Sequence, residues 1–227
     1  MTESIGNFDE VADTYAHQLE AALGAFGGES EYFARYKVEL ISHTLKDLPV
    51  TTILDYGSGI GASIPYFKLL FPSARISATD LSPESLKRLK TEHPEVDIIQ
   101  PGDLEGHRFD LVFLSCVVHH IPVDLRFSEA GKVLTLVQSG GHVCVFEHNP
   151  FNPLTRRIVS NCEFDEGVVL MSKRKLGRLF TTQQKAFNFR AGYCMFFPPA
   201  LKRFTFLERF IRWLPLGGQH FLLGKRS

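Results

Sequence analysis

The sequence predicts an α/β domain: a mostly parallel sheet with helices packed on both faces. Three observations carry this. Short apolar strands alternate with helical segments over residues 50–147, and glycine, proline or a capping residue marks each switch. The polar residues of that stretch gather at predicted strand ends, namely Asp55, Asp80, His119, His120, Glu147 and His148. In open α/β sheets, ligands bind outside the carboxyl ends of the strands.

Each element has its own local signal. A weak helix is expected over 8–23, and the glycines at 24, 27 and 28 loosen the connection to the next element. Phe33, Tyr36, Leu40, Ile41 and Leu45 recur near every 3.6 residues, so a second helix is expected before Pro49. TTILDY is a buried strand ending at a glycine turn, and IGASIPYFKLLF is its helix, with Pro65 tolerated in the first turns. RISATD is the next strand, and Ser82 caps the helix that starts at Pro83. VDIIQ is the third strand and RFDLVFLSCVV the fourth. A helix over 125–138 is expected to stop at Gly140-Gly141, before the strand HVCVFE. Later elements are a helix from Asn152-Pro153, another over 171–180, a strand over 185–197, an amphipathic helix over 199–214 and a strand over 219–224. The dense phenylalanines of that last third are expected in the core.

The chain has 227 residues, 44% hydrophobic and 22% charged, enough to bury a core without disulfides or a structural metal. Twenty-five basic residues balance 25 acidic ones, so nothing favours a nucleic-acid partner. The four cysteines form no C-x-x-C pair and read as reduced, which points to the cytoplasm. The first fifteen residues are acidic and polar, unlike an export signal, and the longest apolar stretch, 111–118, is far too short for a bilayer. A soluble single domain over 1–227 without membrane contact is expected, as a monomer or homodimer.

The strongest motif is the glycine turn Gly57-Ser58-Gly59-Ile60-Gly61 between the first strand and its helix, where a ligand can approach the backbone closely. Gly57, Gly59 and Ala62 also satisfy a dinucleotide pattern. Asp55, two residues before the first glycine, would repel a pyrophosphate and attract an ammonium or sulfonium. Asp80 is placed to accept from ribose hydroxyls and Asp103 from an adenine amino group. Three carboxylates, with no lysine or arginine in the turn, favour a cationic nucleoside over a nicotinamide dinucleotide.

D-x-G-S-G-x-G at 55–61, ISATDLSPESL at 76–86, GDLE at 102–105 and FDLVFLSCVVHHI at 109–121 together resemble the class I S-adenosylmethionine-dependent methyltransferases. The resemblance implies a Rossmann-like three-layer αβα sandwich, with a seven-stranded sheet whose last strand is antiparallel. It implies S-adenosylmethionine as cofactor, with Asp55, Gly57, Ser58, Gly59 and Gly61 at its methionine end. Asp80 and Leu81 would hold the ribose, Asp103 and Leu104 the adenine, and Ser115 would stand at the reactive mouth. Phe8-Asp9-x-x-Ala12-x-x-Tyr15 resembles the lid segment of small-molecule members, making 1–49 a helical lid, 50–148 the cofactor core and 149–227 the substrate side.

Methyl transfer needs the acceptor positioned and its proton managed. The candidates are His119 and His148, with Glu147 orienting one of them, and His120 as a structural or substrate-side group. These four come as two adjacent pairs, a spacing that does not suit ligands on one short element, so no metal is expected. In Glu147-His148-Asn149-Pro150-Phe151-Asn152-Pro153, two Asn-Pro steps stiffen the loop leaving the fifth strand, and Asn149 is a substrate-binding candidate. Asn149-Pro150-Phe151 lies after the fifth strand rather than the fourth, which argues against amino-methylation of DNA. The run EHNPFNPLTR is similar to a bacterial subgroup associated with glycans and secondary metabolites. Arg156 heads a basic cluster that could bind a carboxylate or phosphate on the acceptor. The expected activity is O-methylation of a small, sugar-linked or secondary metabolite. N- or C-methylation, or cofactor binding without catalysis, are the alternatives.

Overall fold

The computed structural model describes residues 30–46, 48–162, 165, 167–183 and 186–227. The helix expected over 8–23, the lid motif with Tyr15, and Lys185 lie outside them. The first described helix, α1 (Ser30–Thr44), precedes the alternating elements. These are β1 (Thr52–Tyr56), α2 (Ile64–Leu70), β2 (Arg75–Thr79), α3 (Pro83–Glu92), β3 (Asp97–Ile98) and β4 (Phe109–Ser115). Then come α4 (Arg126–Thr135), β5 (Val137–His148), α5 (Pro153–Ser160), α6 (Lys173–Thr181), β6 (Phe187–Cys194), α7 (Glu208–Ile211) and β7 (Gln219–Arg226).

The sheet has seven strands in the order β3-β2-β1-β4-β5-β7-β6. β1 pairs in parallel with β2 and β4, and β4 with β5, whereas β7 is antiparallel to both β5 and β6. Buried sheets require apolar residues on both faces, and the strands supply them alternately. Ile53, Leu111, Phe113, Cys144, Phe146 and Phe221 join a core with Ile41 of α1 and Phe67 of α2. Their neighbours Leu54, Val112, Leu114, Val143, Val145 and Leu222 join a second core with Val133 of α4 and Leu176 of α6. The parallel order brings the carboxyl ends of β1, β2, β4 and β5 to one edge, as the sequence led us to expect.

Capping residues act where the sequence placed them. Ser82 Oγ accepts from Ser85 N at 3.1 Å, and Asn152 Oδ1 accepts from Leu154 N and Thr155 N at 2.9 and 3.0 Å. The glycine pair at 140–141 does not stop a helix. α4 has already ended, and the pair sits inside β5, where the β4–β5 register jumps from Phe109↔Val137 to Leu111↔His142.

The expected amphipathic helix over 199–214 is instead a 3₁₀ stretch, Pro199–Leu207, followed by the four residues of α7. Glu208 is the cause. It is 1% exposed, accepts from Phe196 N at 2.9 Å and Met195 N at 3.3 Å, and takes the hydroxyl of Tyr36. Drawing this carboxylate inward turns Phe206, Phe210 and Trp213 out to solvent, against the expectation that the aromatic residues here are core. Among the described residues, no helix is long and apolar enough to cross a membrane.

Asn149 is a tie of the fold. Fully buried, its amide donates to Pro215 O at 3.0 Å and Gly217 O at 2.7 Å, and its oxygen accepts from Phe151 N at 3.1 Å. All its bonds go to backbone, so the structure does not bring it to a ligand. Asn149→Ala removes the donors of the Pro215 and Gly217 carbonyls, the latter buried, and its loss of stability is expected to be about 1–3 kcal/mol in urea denaturation.

Candidate active site

The turn after β1 is tied to the end of β2, because Gly57 N and Ser58 N donate to Thr79 O at 2.8 and 3.1 Å. Gly57 has φ +70°, and a Cβ there would lie 2.6 Å from a methyl of Val117, so neither conformation nor space admits a side chain. Gly59, at φ +52°, has nothing within 4 Å of where a Cβ would stand and leaves its backbone open to a ligand. Its N–H donates to Asp80 Oδ2 at 2.7 Å, while Asp80 Oδ1 accepts from Ser82 N at 2.9 Å.

A cavity of about 1230 Å³ opens beside this turn. Of the residues expected at the site, Asp55, Gly57, Ser58, Gly59, Asp80, Leu81, Leu104, Ser115, His119, His120 and His148 line it. Gly61 does not: its Cβ position meets Leu89 of α3 and Ile64 of α2, so it lets the turn pack closely against these helices. Asp103 is exposed at the end of the 3₁₀ turn Pro101–Asp103, and the wall runs over Gly102 and Leu104 instead. With three residues per turn, 101 and 104 share a side and 103 faces away. Arg156 is exposed too. α5 presents Leu154, Thr155 and Ile158 to the cavity, and Arg156 falls on the other face of the helix.

The histidines and Glu147 form one cluster. Glu147 has no exposure; Oε1 accepts from Val118 N at 2.8 Å and Oε2 from His119 Nδ1 at 2.6 Å. Glu147 therefore orients His119 without reaching the cavity. His119 Nε2 lies 3.2 Å from Asp165 Oδ1. Burial works against the charged imidazolium, but Glu147 and Asp165 outweigh it and hold the His119 pKa well above the ordinary histidine range. Burial and that neighbouring charge push His120 down to about 4, so it is neutral at pH 7. Arg126, 4% exposed, fixes this backbone by donating to His119 O and Ile121 O, both at 2.8 Å.

Four contributors escaped the sequence reading. Lys37 of α1 reaches the cavity wall, donating to Ser115 Oγ at 2.6 Å. A lysine four residues from both Phe33 and Ile41, on an apolar stripe, was the available signal. Among the described residues, Cys116 is one of two non-glycine residues with positive φ, at 60°, and Gln219 Nε2 donates to its sulfur at 3.2 Å. Burial raises the Cys116 thiol, yet His148 and Lys37 bring it down to about 7. Asp165 and Gln219 come from distant segments and carry no local signal.

Asp55, 3% exposed, is pushed up to about 7 by burial and by Asp80, against the pull of Lys37. A carboxylate expected to be simply anionic is thus half protonated near neutral pH, and a cationic ligand would complete its ionisation.

Residues 54–143 match a family described as a methyltransferase domain. A malonyl-[acyl-carrier protein] O-methyltransferase from Herminiimonas arsenicoxydans is 25% identical over 191 residues, covering 80% of this chain and 68% of that protein. Among solved structures, an O-methyltransferase family protein from Burkholderia thailandensis superposes with a TM-score of 0.64 at 16% identity. That match covers 96% of this chain, which spans 63% of the length of that one. The plantazolicin methyltransferase BpumL, solved with a monoazolic desmethylPZN analog and SAH, gives 0.62 at 13% identity, covering 98% and 100% of the two chains.

Two outcomes are expected. Asp55 has a folded pKa above its unfolded value of 3.8, so its contribution to stability falls as pH rises from about 4 to about 7. Asp55→Asn should therefore stabilise the ligand-free protein by roughly 1–3 kcal/mol at pH 8 and by little at pH 4, read from urea midpoints at both. Cys116 should be the first of the four cysteines to react with iodoacetamide at pH 7, by peptide mass mapping. Cys144 and Cys194, raised by burial, should lag behind it.

Proposed function

We propose that the chain is a class I S-adenosylmethionine-dependent methyltransferase, a reading supported by its match to a methyltransferase domain over residues 54–143, and that it methylates an oxygen of a small-molecule acceptor, a hydroxyl of a sugar-linked or secondary metabolite. The observation that carries this reading is a cavity of about 1230 Å³, larger than the usual 300–1,000 Å³ of a single-ligand pocket, with imidazoles and the glycine turn in one wall. It has room for cofactor and acceptor together.

The residues present fit S-adenosylmethionine. Gly59 leaves an open cradle, and the Asp80 carboxylate, oriented by Gly59 N and Ser82 N, lines the same wall, where a carboxylate can accept from ribose hydroxyls. Among the described residues, Thr79 Oγ1 and Gln219 Oε1, both on wall residues, are buried and meet no hydrogen-bond partner, so a polar ligand would satisfy them. When bound, the cofactor supplies a methyl group activated by its sulfonium.

The chain's own part is positioning and proton transfer. His148 is the group we assign to take the acceptor's hydroxyl proton, and the Cys116 sulfur beside it stabilises the imidazolium that forms. Leu154, Ile158, Met195 and Phe196 supply apolar wall that keeps water from the acceptor. Lys37 favours a second reading, a carboxylate acceptor: its ammonium is in the wall, near Ser115, and would pair with such a group. The relative from Herminiimonas arsenicoxydans, by its name, is also an O-methyltransferase. Arg156 gives no support to an anionic acceptor, because it is off the wall. Four free cysteines fit a reducing compartment, and we place the enzyme in the cytoplasm.

Incubating a metabolite pool with enzyme and donor carrying a deuterated methyl should yield an O-methylated product in mass spectrometry; label only on nitrogen or carbon would refute the reading. His148→Gln should lower kcat about 10²–10³-fold, with affinity for S-adenosylhomocysteine nearly unchanged in calorimetry. A carboxylate acceptor, already ionised, would leave kcat almost intact.

A further inference from the structure

His119, His120 and Asp165 present three donor atoms that all lie within 4.8 Å of one another. His119 Nε2 and His120 Nε2 stand 3.2 and 3.5 Å from the same Asp165 oxygen. An ion bound tetrahedrally by nitrogen and oxygen at about 2.0–2.1 Å holds its ligand atoms about 3.3 Å apart, so two edges of such a site are already in place. Adjacency in sequence is no obstacle here. His119 and His120 end the 3₁₀ turn Val118–His120, their ring centroids are 4.1 Å apart, and the third donor arrives from the segment after α5.

We propose that His119, His120 and Asp165 form a mononuclear site for a divalent transition-metal ion, with an open coordination position toward the cavity for the acceptor oxygen. Two imidazoles and one carboxylate suit zinc or ferrous iron rather than magnesium or calcium, which prefer all-oxygen ligands. The surroundings are those of a built site. His119 Nδ1 donates to Glu147 at 2.6 Å, the carboxylate–histidine arrangement that leaves Nε2 as the ligating nitrogen. Glu147 is itself held by Val118 N, and Arg126 clamps the backbone on either side of His120. Exposure rises from 1% for the side chain of His119 to 10% for Asp165 and 23% for His120, so the triad opens on one side. All three residues line the cavity. Three protein ligands and one open position are the pattern of catalytic rather than structural zinc. Such an ion would polarise an acceptor hydroxyl and ease its deprotonation. This role rests on the oxygen-acceptor reading above; the site itself rests on geometry alone.

The test is a titration of the chelator-treated, dialysed full chain with cobalt(II), monitored by visible absorption, alongside zinc(II) calorimetry. One equivalent is expected to bind, giving the visible bands of a four- or five-coordinate ion, and azide should shift them by entering the open position. Asp165→Asn and His120→Gln should each weaken binding at least about tenfold, and Glu147→Gln about 10–100-fold. His43→Gln, on the exposed end of α1, should bind as wild type. If Glu147→Gln fails to fold, judged by circular dichroism, the two cavity-side variants still decide. Absence of one-to-one uptake, or uptake undiminished in both of them, overturns the site. Spectra indifferent to azide overturn the open position. None of these readouts needs turnover, so their failure leaves the oxygen-acceptor reading standing, to be judged by the labelled product.

Discussion

At the carboxyl end of β5, the carboxylate of Glu147 has no access to water, and its two oxygens are both engaged, one by Val118 N and one by His119 Nδ1. A charge in that position is tolerable only if it is paired and fully hydrogen-bonded. Burial raises its pKa, yet His119 pulls it well below the ordinary carboxylate range. The pair therefore fixes more than itself. It joins the end of β5 to the turn after β4, sets the orientation of one imidazole and places the next at the cavity wall. Arg126 completes the constraint from α4. Losing His119 would leave the buried Glu147 carboxylate without its paired imidazole, and losing Glu147 would leave His119 with Asp165 alone, so this corner of the molecule has little freedom to rearrange.

The cavity is electrostatically mixed rather than simply anionic. Lys37 brings an ammonium to the mouth where the glycine turn itself carries no basic residue, and Asp55 is pushed toward its neutral form by burial and by Asp80. Attraction for a sulfonium nucleoside then depends on which groups ionise when it arrives, not on a standing excess of negative charge. A low thiol pKa at Cys116 belongs to the same balance, since Lys37 and His148 both favour the thiolate.

Aromatic residues of the last third divide according to one polar neighbour. Phe180, Phe187 and Phe221 are buried, because their elements lie on the sheet or are strands of it. Phe206, Phe210 and Trp213 face outward, because Glu208 takes the inward position to satisfy two backbone N–H groups and Tyr36. Composition alone would have put them all in the core, and a buried carboxylate with fixed partners reverses that for one short segment.

Local pattern carried most of the architecture. The alternation of apolar strands and helices, the caps at Ser82 and Asn152, and the turn at Gly57 and Gly59 are short-range features, written within a few residues of where they act. The same is true of Asp80 and His148, which stand at strand ends that the pattern locates. Tertiary structure decided whatever depended on the direction in which a side chain points or on segments far apart in the chain. Arg156 and Asp103 fall on the outer side of their turns, Asn149 is consumed by the backbone of residues 215–217, and Lys37 enters from α1. Asp165 meets His119 across 46 residues. No spacing rule encodes such a meeting, because it is fixed by how helices pack on a sheet and not by the chain between them.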